Sequence, residues 1–154
     1  MEQNWLIVER VENWEVDQQN GFAFFGLPPR YKNVSCEIKS GDKVYCYVSS
    51  GISAFSDIRV VRDAGIKEIK EDSFHDVYNR NFAYYFTTTP VLILPRKEWV
   101  PLSQLASALE LTRGRSPSSQ RAIFQTSIRK LLPNDAKLLA NAFKCVSEQK
   151  HLAS

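Results

Sequence analysis

Residues 24–61, FFGLPPRYKNVSCEIKSGDKVYCYVSSGISAFSDIRVV, constrain the fold more than any other part of this chain. Gly41 and Asp42 mark a tight turn, because Gly accepts positive φ and Asp bonds its own backbone, and that turn must feed a strand from Lys43 to Val48. A second apolar run, Ala54 to Val61, follows the Gly-containing connection Ser49 to Ser53, so the two runs read as a β-hairpin. Ahead of them, Pro28-Pro29 ends the run Phe22 to Phe25, since successive prolines remove two ladder donors. Between these, Tyr31, Val34 and Ile38 are spaced by three and four, which fits a helical turn with a basic outer face laid over a barrel mouth. The expectation is an α+β fold: a small closed β-barrel with helices packed around it. The same segment brings Phe25, Pro28, Tyr47 and Ser49 together without an evident catalytic pair, which points to binding before chemistry.

The flanking segments extend this pattern. Trp5 to Val8 reads as a first strand, and Glu12 to Gln19 as a short helix stopped by Asn20-Gly21, a dipeptide suited to a left-handed cap. Asn81 to Leu94 is the longest β-favouring run, with Pro90 restricting it to an edge or a bulge. Pro101 suits the first turn of a helix to about Leu109, with Leu102, Leu105, Ala106 and Leu109 on one face. Thr112 to Gln120 has the composition of a basic loop, and the run from Ile123 to Leu132 ends at Pro133. Asn134 can cap a last helix whose stripe is Leu138, Leu139, Ala142, Phe143 and Val146. Gly65 to Ser73 reads as an edge strand or an excursion.

At 154 residues the chain suits one domain, 1–154, and with 44% apolar and 24% charged residues it can bury a full core. A formal charge of +3 is too low for a tail that binds polyanions by charge alone, so any such contact needs local clustering. The first residues lack the basic and apolar regions of a signal peptide, and no apolar run spans a membrane; a cytoplasmic protein without a membrane partner is expected. Cys36, Cys46 and Cys145 are odd in number and widely spaced, which favours buried free thiols over disulfides or zinc. His75 and His151 are isolated, no nucleophile pair has a local signature and no phosphate-binding glycine loop occurs. No metal, cofactor or catalytic residue is therefore assigned.

Several motifs in order carry a resemblance: Asn13-Trp14 after the first strand, Gly26-Leu27-Pro28 after an aromatic, Ile38-Lys39-Ser40-Gly41-Asp42-Lys43-Val44, Tyr47-Val48-Ser49, and Ser127-Ile128-Arg129-Lys130 before Asn134-Asp135. Together they resemble the EVE family, barrels of the PUA-like superfamily related to the YTH readers of methylated RNA bases, and the resemblance covers nearly the whole chain. Phe25 stands where that family commonly has Trp, and Phe86 where an arginine is often found. The resemblance implies a partner that is DNA or RNA carrying a modified base, and a family setting associated with restriction or defence proteins.

Such a base must be flipped out or single-stranded before a pocket can hold it, and aromatic walls must replace its lost stacking. Trp14, Phe25, Tyr47 and Tyr84 or Tyr85 are the candidate walls, beside Pro28, each base contact contributing about 1–3 kcal/mol. Asn13, Ser49, Ser127 and the backbone at Gly26 are candidates for reading the base edge. Arg30, Lys32, Lys39, Arg113, Arg115, Arg121, Arg129 and Lys130 are candidates for the phosphates. Bland roles compete with each of these. Trp14 and Tyr47 suit a core, as do Trp5 and Trp99. Ser49 and Ser127 suit turn bonds, and Arg129 suits an ion pair with Glu9 or Asp135. The alternative function is an amide hydrolase on modified nucleosides, as in the related ASCH domains, which would need Lys39 or Lys43 with Thr126 or Ser127 and Glu9. An interaction module without a base pocket is a third reading.

Overall fold

The computed structural model describes residues 2–49, 51–63, 67–68 and 82–152. In chain order the elements are β1 (Asn4–Glu9), α1 (Val11–Gln19), β2 (Phe24–Leu27), a 3-10 turn (Pro29–Tyr31), α2 (Lys32–Glu37), β3 (Lys43–Val48), β4 (Ala54–Val61) and β5 (Lys67–Glu68). There follow β6 (Tyr84–Ile93), a 3-10 turn (Arg96–Glu98), β7 (Val100–Pro101), α3 (Leu102–Leu105), α4 (Pro117–Ile123), β8 (Ile128–Lys130) and α5 (Pro133–Leu152). The α+β class expected from sequence is the class observed.

The strands form one mixed sheet in the order β2-β6-β4-β3-β1-β8, with β5 added on β6 and β7 on β4. Among the described residues only β1 and β3 run parallel; Trp5 lies opposite Val44 and Glu9 opposite Val48. The β3–β4 hairpin follows Gly41, whose φ of +93° is the turn its sequence required. Asp42 locks that turn: it is buried, and its carboxylate accepts from the Gln3 and Lys39 amides and from the Trp5 indole at 2.9–3.0 Å. Val91 is the residue skipped where β6 slips register on β4, next to Pro90, so the proline is accommodated by a bulge.

Four expectations are corrected. The strand order ends at β2 and β8 without a bridge between them among the described residues, so the sheet is a half-barrel and not a closed barrel. The helix expected from Pro101 to about Leu109 stops at Leu105. Thr112 Oγ1 donates to the Ala106 carbonyl at 2.7 Å, and buried Asp135 accepts the Glu110 and Leu111 amides at 2.8 and 3.1 Å, drawing the chain out of helical register. The basic loop is shorter than its composition suggested, because Ser116 accepts from the Ser119 amide as an N-cap and Pro117 opens α4. Cys46 is a buried thiol, but Cys36 and Cys145 are exposed on helices. Most of the segment Gly65 to Ser73, His75, Asn81 and the side chain of His151 lie outside the described residues. No helix among the described residues is long and apolar enough to cross a membrane, and no group of three His, Cys, Asp or Glu among them has the arrangement of a metal site.

Successive side chains of a strand point to opposite faces, and in β3 this separates Cys46 from Tyr47. Cys46 Sγ reaches Glu9 Oε2 at 3.5 Å on the face that α1 covers, whereas Tyr47 stacks on Phe124 at 4.0 Å and meets Phe55 at 5.2 Å on the other. The half-barrel is therefore packed on both sides.

Candidate functional site

Two cavities open at one end of the half-barrel, where β1 runs into α1. Here the Val8 amide donates to the Ser127 carbonyl at 2.9 Å and the Ser49 amide to the Glu9 carbonyl at 2.8 Å, so three chain segments converge on the last residues of β1. The first cavity is a crevice of about 30 Å³ at the seam between β1 and β2. Its walls include Glu9 from β1, Asn13 and Asp17 from α1, Phe25 and Gly26 from β2, and Phe82 and Ser127. That volume suits about one water molecule. Phe82 lies directly on Gly26: a Cβ added there would come 2.8 Å from Phe82 Cγ. The glycine is thus a requirement of close approach.

Beneath the crevice sits a buried ionic cluster. Arg59, with 0% exposure, donates from Nε to Asp57 at 2.7 Å, from one terminal nitrogen to Asp17 at 3.0 Å, and from the other toward Asp57 at 3.3 Å and Glu9 at 3.5 Å. The Trp14 indole and the Ser56 hydroxyl donate to Asp57 Oδ2 at 2.8 and 2.9 Å. Phe22, held at φ +56°, presents its ring 5.0 Å from the guanidinium carbon. Three carboxyls surround one guanidinium, and burial raises the Asp17 pKa to about 10, helped by the charge of Glu9 and a hydrogen bond with it and opposed by Arg59. Asp17 is therefore a neutral carboxyl at pH 7, and its contact with Arg59 is that of a hydrogen-bond acceptor. Burial, with the charges of Glu9 and Asp57, likewise pushes the Cys46 thiol well above its usual range, so Cys46 is no nucleophile.

The second cavity is a cleft of about 390 Å³ on the opposite face, and it shares Val8 and Ser127 with the crevice. Arg10, the β3–β4 connection, Tyr47, Arg121, Phe124 and residues 125–127 line it. The connection is built with Gly51 at φ +86° and Ser53 at φ +51°, a left-handed position for a residue with a side chain, and the Ser53 carbonyl is pinned by the Leu102 amide at 2.9 Å.

The single pocket foreseen from sequence is thus divided. Asn13, Phe25 and Gly26 line the crevice, Tyr47 and Ser49 the cleft, and Ser127 both. Trp14 lines neither: it is 4% exposed, tied to Asp57 and packed on Phe22 and Trp99 at 5.4 and 4.8 Å. Phe25 is also mostly interior, 4% exposed and stacked on Phe86 at 5.3 Å, although it lines the crevice. Tyr84 and Tyr85 lie opposite Leu27 and Gly26 on β6, and Pro28 caps the following 3-10 turn; none of the three lines either of these two cavities.

Of the basic candidates, Arg121 lines the cleft, and Arg30 contacts the Tyr31 hydroxyl, which in turn accepts from the Ser127 amide at 2.8 Å. Lys32 is exposed on α2, and Arg113 and Arg115 occupy the turn before α4, outside both cavities. Lys130 pairs with Glu37 at 2.8 Å, and Arg129 is half-buried with no ion pair to Glu9 or Asp135. Lys39 and Lys43 sit at the far end of the β1–β3 ladder, where Lys43 faces Asn4. Five residues of strand, about 17 Å, separate that end from Glu9, so the set required by an amide hydrolase is not assembled. Asp17, Phe82, Arg10 and Phe124 were not foreseen. Asp17 had a legible signal, since it lies three residues after Trp14 and so on the same helix face.

Fold and site together define a mixed-sheet half-barrel with helices packed around it and a polar seam at one end, a fold shared with solved YTH domains and with THYN1. Solved structures of similar fold include the YTH domain of Zygosaccharomyces rouxii MRB1 in complex with N6-methyladenosine RNA, with a TM-score of 0.63 at 12% identity over 93% of this chain and 87% of that one. Human THYN1 in complex with DNA containing 5-methylcytosine aligns with a TM-score of 0.59 at 14% identity over 89% of this chain and 95% of that one. Rpa0253 from Rhodopseudomonas palustris gives 0.63 at 15% identity, covering 93% and 94%. In sequence, a UPF0310 protein of Pyrococcus horikoshii is 28% identical over 72 residues; the match spans 47% of this chain and about half, 48%, of that relative. No family model matches.

Proposed function

We propose that this protein binds a modified nucleobase of DNA or RNA, presented flipped or single-stranded, at the seam between β1 and β2. The observation that carries this reading is the crevice itself. It combines two aromatic rings, Phe25 and the Phe82 ring that lies on Gly26, with convergent polar groups, Glu9, Asn13 and Ser127, over the buried ionic cluster. The crevice is too small for a base as it stands, so entry swings the Phe82 ring outward, where it stacks on the incoming base and replaces part of the lost stacking. Glu9 can accept from an exocyclic amine of the base. Structures of the same fold in complex with N6-methyladenosine RNA and with DNA containing 5-methylcytosine support modified-base binding in general.

The test is affinity for short single-stranded oligonucleotides that differ only at one base, plain or modified, across cytosine and adenine derivatives. One modification should bind roughly 10–200-fold tighter than its parent base, the range expected for a fitted pocket reading a methyl group. Phe82→Ala should lower affinity for that oligonucleotide about tenfold or more, the loss of one stacking contact. Equal affinity for every plain and modified pair would overturn the reading.

A further inference from the structure

We infer that the cleft on the opposite face of β1 holds the nucleotide adjacent to the modified one, with its phosphate between Arg10 and Arg121. This rests on the base-reading role of the seam. Five observations support it. At about 390 Å³ the cleft falls within the size range of small-ligand pockets, larger than a lone phosphate needs. Its charge is opposite to that of the crevice: Arg10 and Arg121 line it and no carboxylate does, whereas Glu9 and Asp17 line the crevice and disfavour a phosphate there. Arg121 has no ion-pair partner among the described residues, and Arg10 has only a loose contact of 3.7 Å to Glu12, with both side chains more than half exposed. The walls are prebuilt by the stacked Tyr47 and Phe124 rings, by the Ser49 and Ser53 hydroxyls, and by the left-handed backbone at Gly51 and Ser53. Such strain persists where the surroundings over-determine it, and it clusters at ligand sites. Because both cavities share Val8 and Ser127, a strand crossing that ridge sets consecutive nucleotides on its two sides.

The experiment compares the modified nucleoside preferred in the oligonucleotide panel with dinucleotides that extend it by one nucleotide on the 5′ or the 3′ side, by calorimetry. One direction of extension should raise affinity at least tenfold, and an abasic extension should keep part of that gain through its phosphate. Arg121→Ala, and Arg10→Ala with it, should remove the gain while leaving nucleoside affinity unchanged. If nucleoside and both dinucleotides bind equally, or if the gain survives in the double variant, the cleft is not this subsite while base reading stands. Binding of an unmodified mononucleotide as tightly as the preferred dinucleotide would overturn the inference by making the cleft an independent site. Loss of all preference for a modified base would instead remove the reading on which the inference rests.

Discussion

Asp17 and Trp14 sit one helical turn apart, yet their chemistry diverges with what each meets in the interior. Asp17 keeps its proton because burial disfavours its charged form and the charge of Glu9 beside it adds to that, with Arg59 opposing. Its pKa rises from 3.8 in a solvated chain to about 10 when folded, so between those values the folded state binds more protons than the unfolded one. The stability linked to Asp17 is therefore complete below pH 3.8 and is lost progressively as pH rises toward 10. Asp17→Asn, an isostere of the neutral acid, should flatten that decline in urea-unfolding midpoints measured from pH 5 to 9; an unchanged slope would place the proton elsewhere in the cluster. Trp14 shows the reverse case, a residue whose burial removes it from recognition. The sequence allowed it either a pocket or a core, since an indole serves both, and only the partner Asp57, 43 residues away, decides between them. Trp14→Ala should cost about 3–5 kcal/mol in denaturant melts.

At the scale of elements, the hairpin and the first helix were legible because their determinants are local: Gly41-Asp42 for one, Asn20-Gly21 for the other. The seam was not, because it is made by β1, α1, β2 and the segment at Phe82, which meet only through the long-range order of the sheet. Asn13, Gly26 and Ser127 each adjoin an element end that a quoted motif marks, whereas Phe82 opens the long β-favouring run ahead of β6 with no motif to single it out. Gly26 ties these pieces together. Its φ lies outside the left-handed region, so alanine there is strained only by the 2.8 Å approach to Phe82 Cγ, which the ring can relieve by turning away. Gly26→Ala should then cost stability by about 1–3 kcal/mol, as overpacking does, and weaken binding of the preferred oligonucleotide by a larger factor than it weakens binding of its plain parent. Melting curves read beside affinities for both oligonucleotides test this; an unchanged ratio would take Phe82 out of base recognition.

For the whole molecule, a net charge of +3 conceals a sorted surface. Lys130 is spent on Glu37 and Arg96 on Glu15, and Lys39 and Lys43 cluster at the end of β3 away from both cavities. Around the seam and cleft remain Arg10, Arg30 and Arg121, delivered by three different segments. The half-barrel thus distributes the basic residues counted from sequence over both ends of the sheet and brings only some of them near the cavities. A strand held by two or three of these arginines should show a log–log dependence of affinity on salt with slope about −1.4 to −2, at about −0.7 per phosphate contacted on a single strand. Titrations between low and physiological salt measure it directly. A slope steeper than about −4 would mean that six or more cations touch the strand, which the positions of Lys39, Lys43 and Lys130 do not permit from this end. Arg121→Ala should make the slope shallower by about 0.7, whereas Lys39→Ala should leave it unchanged, and an equal change in both would show that the strand runs along the sheet instead of across the ridge at Val8 and Ser127.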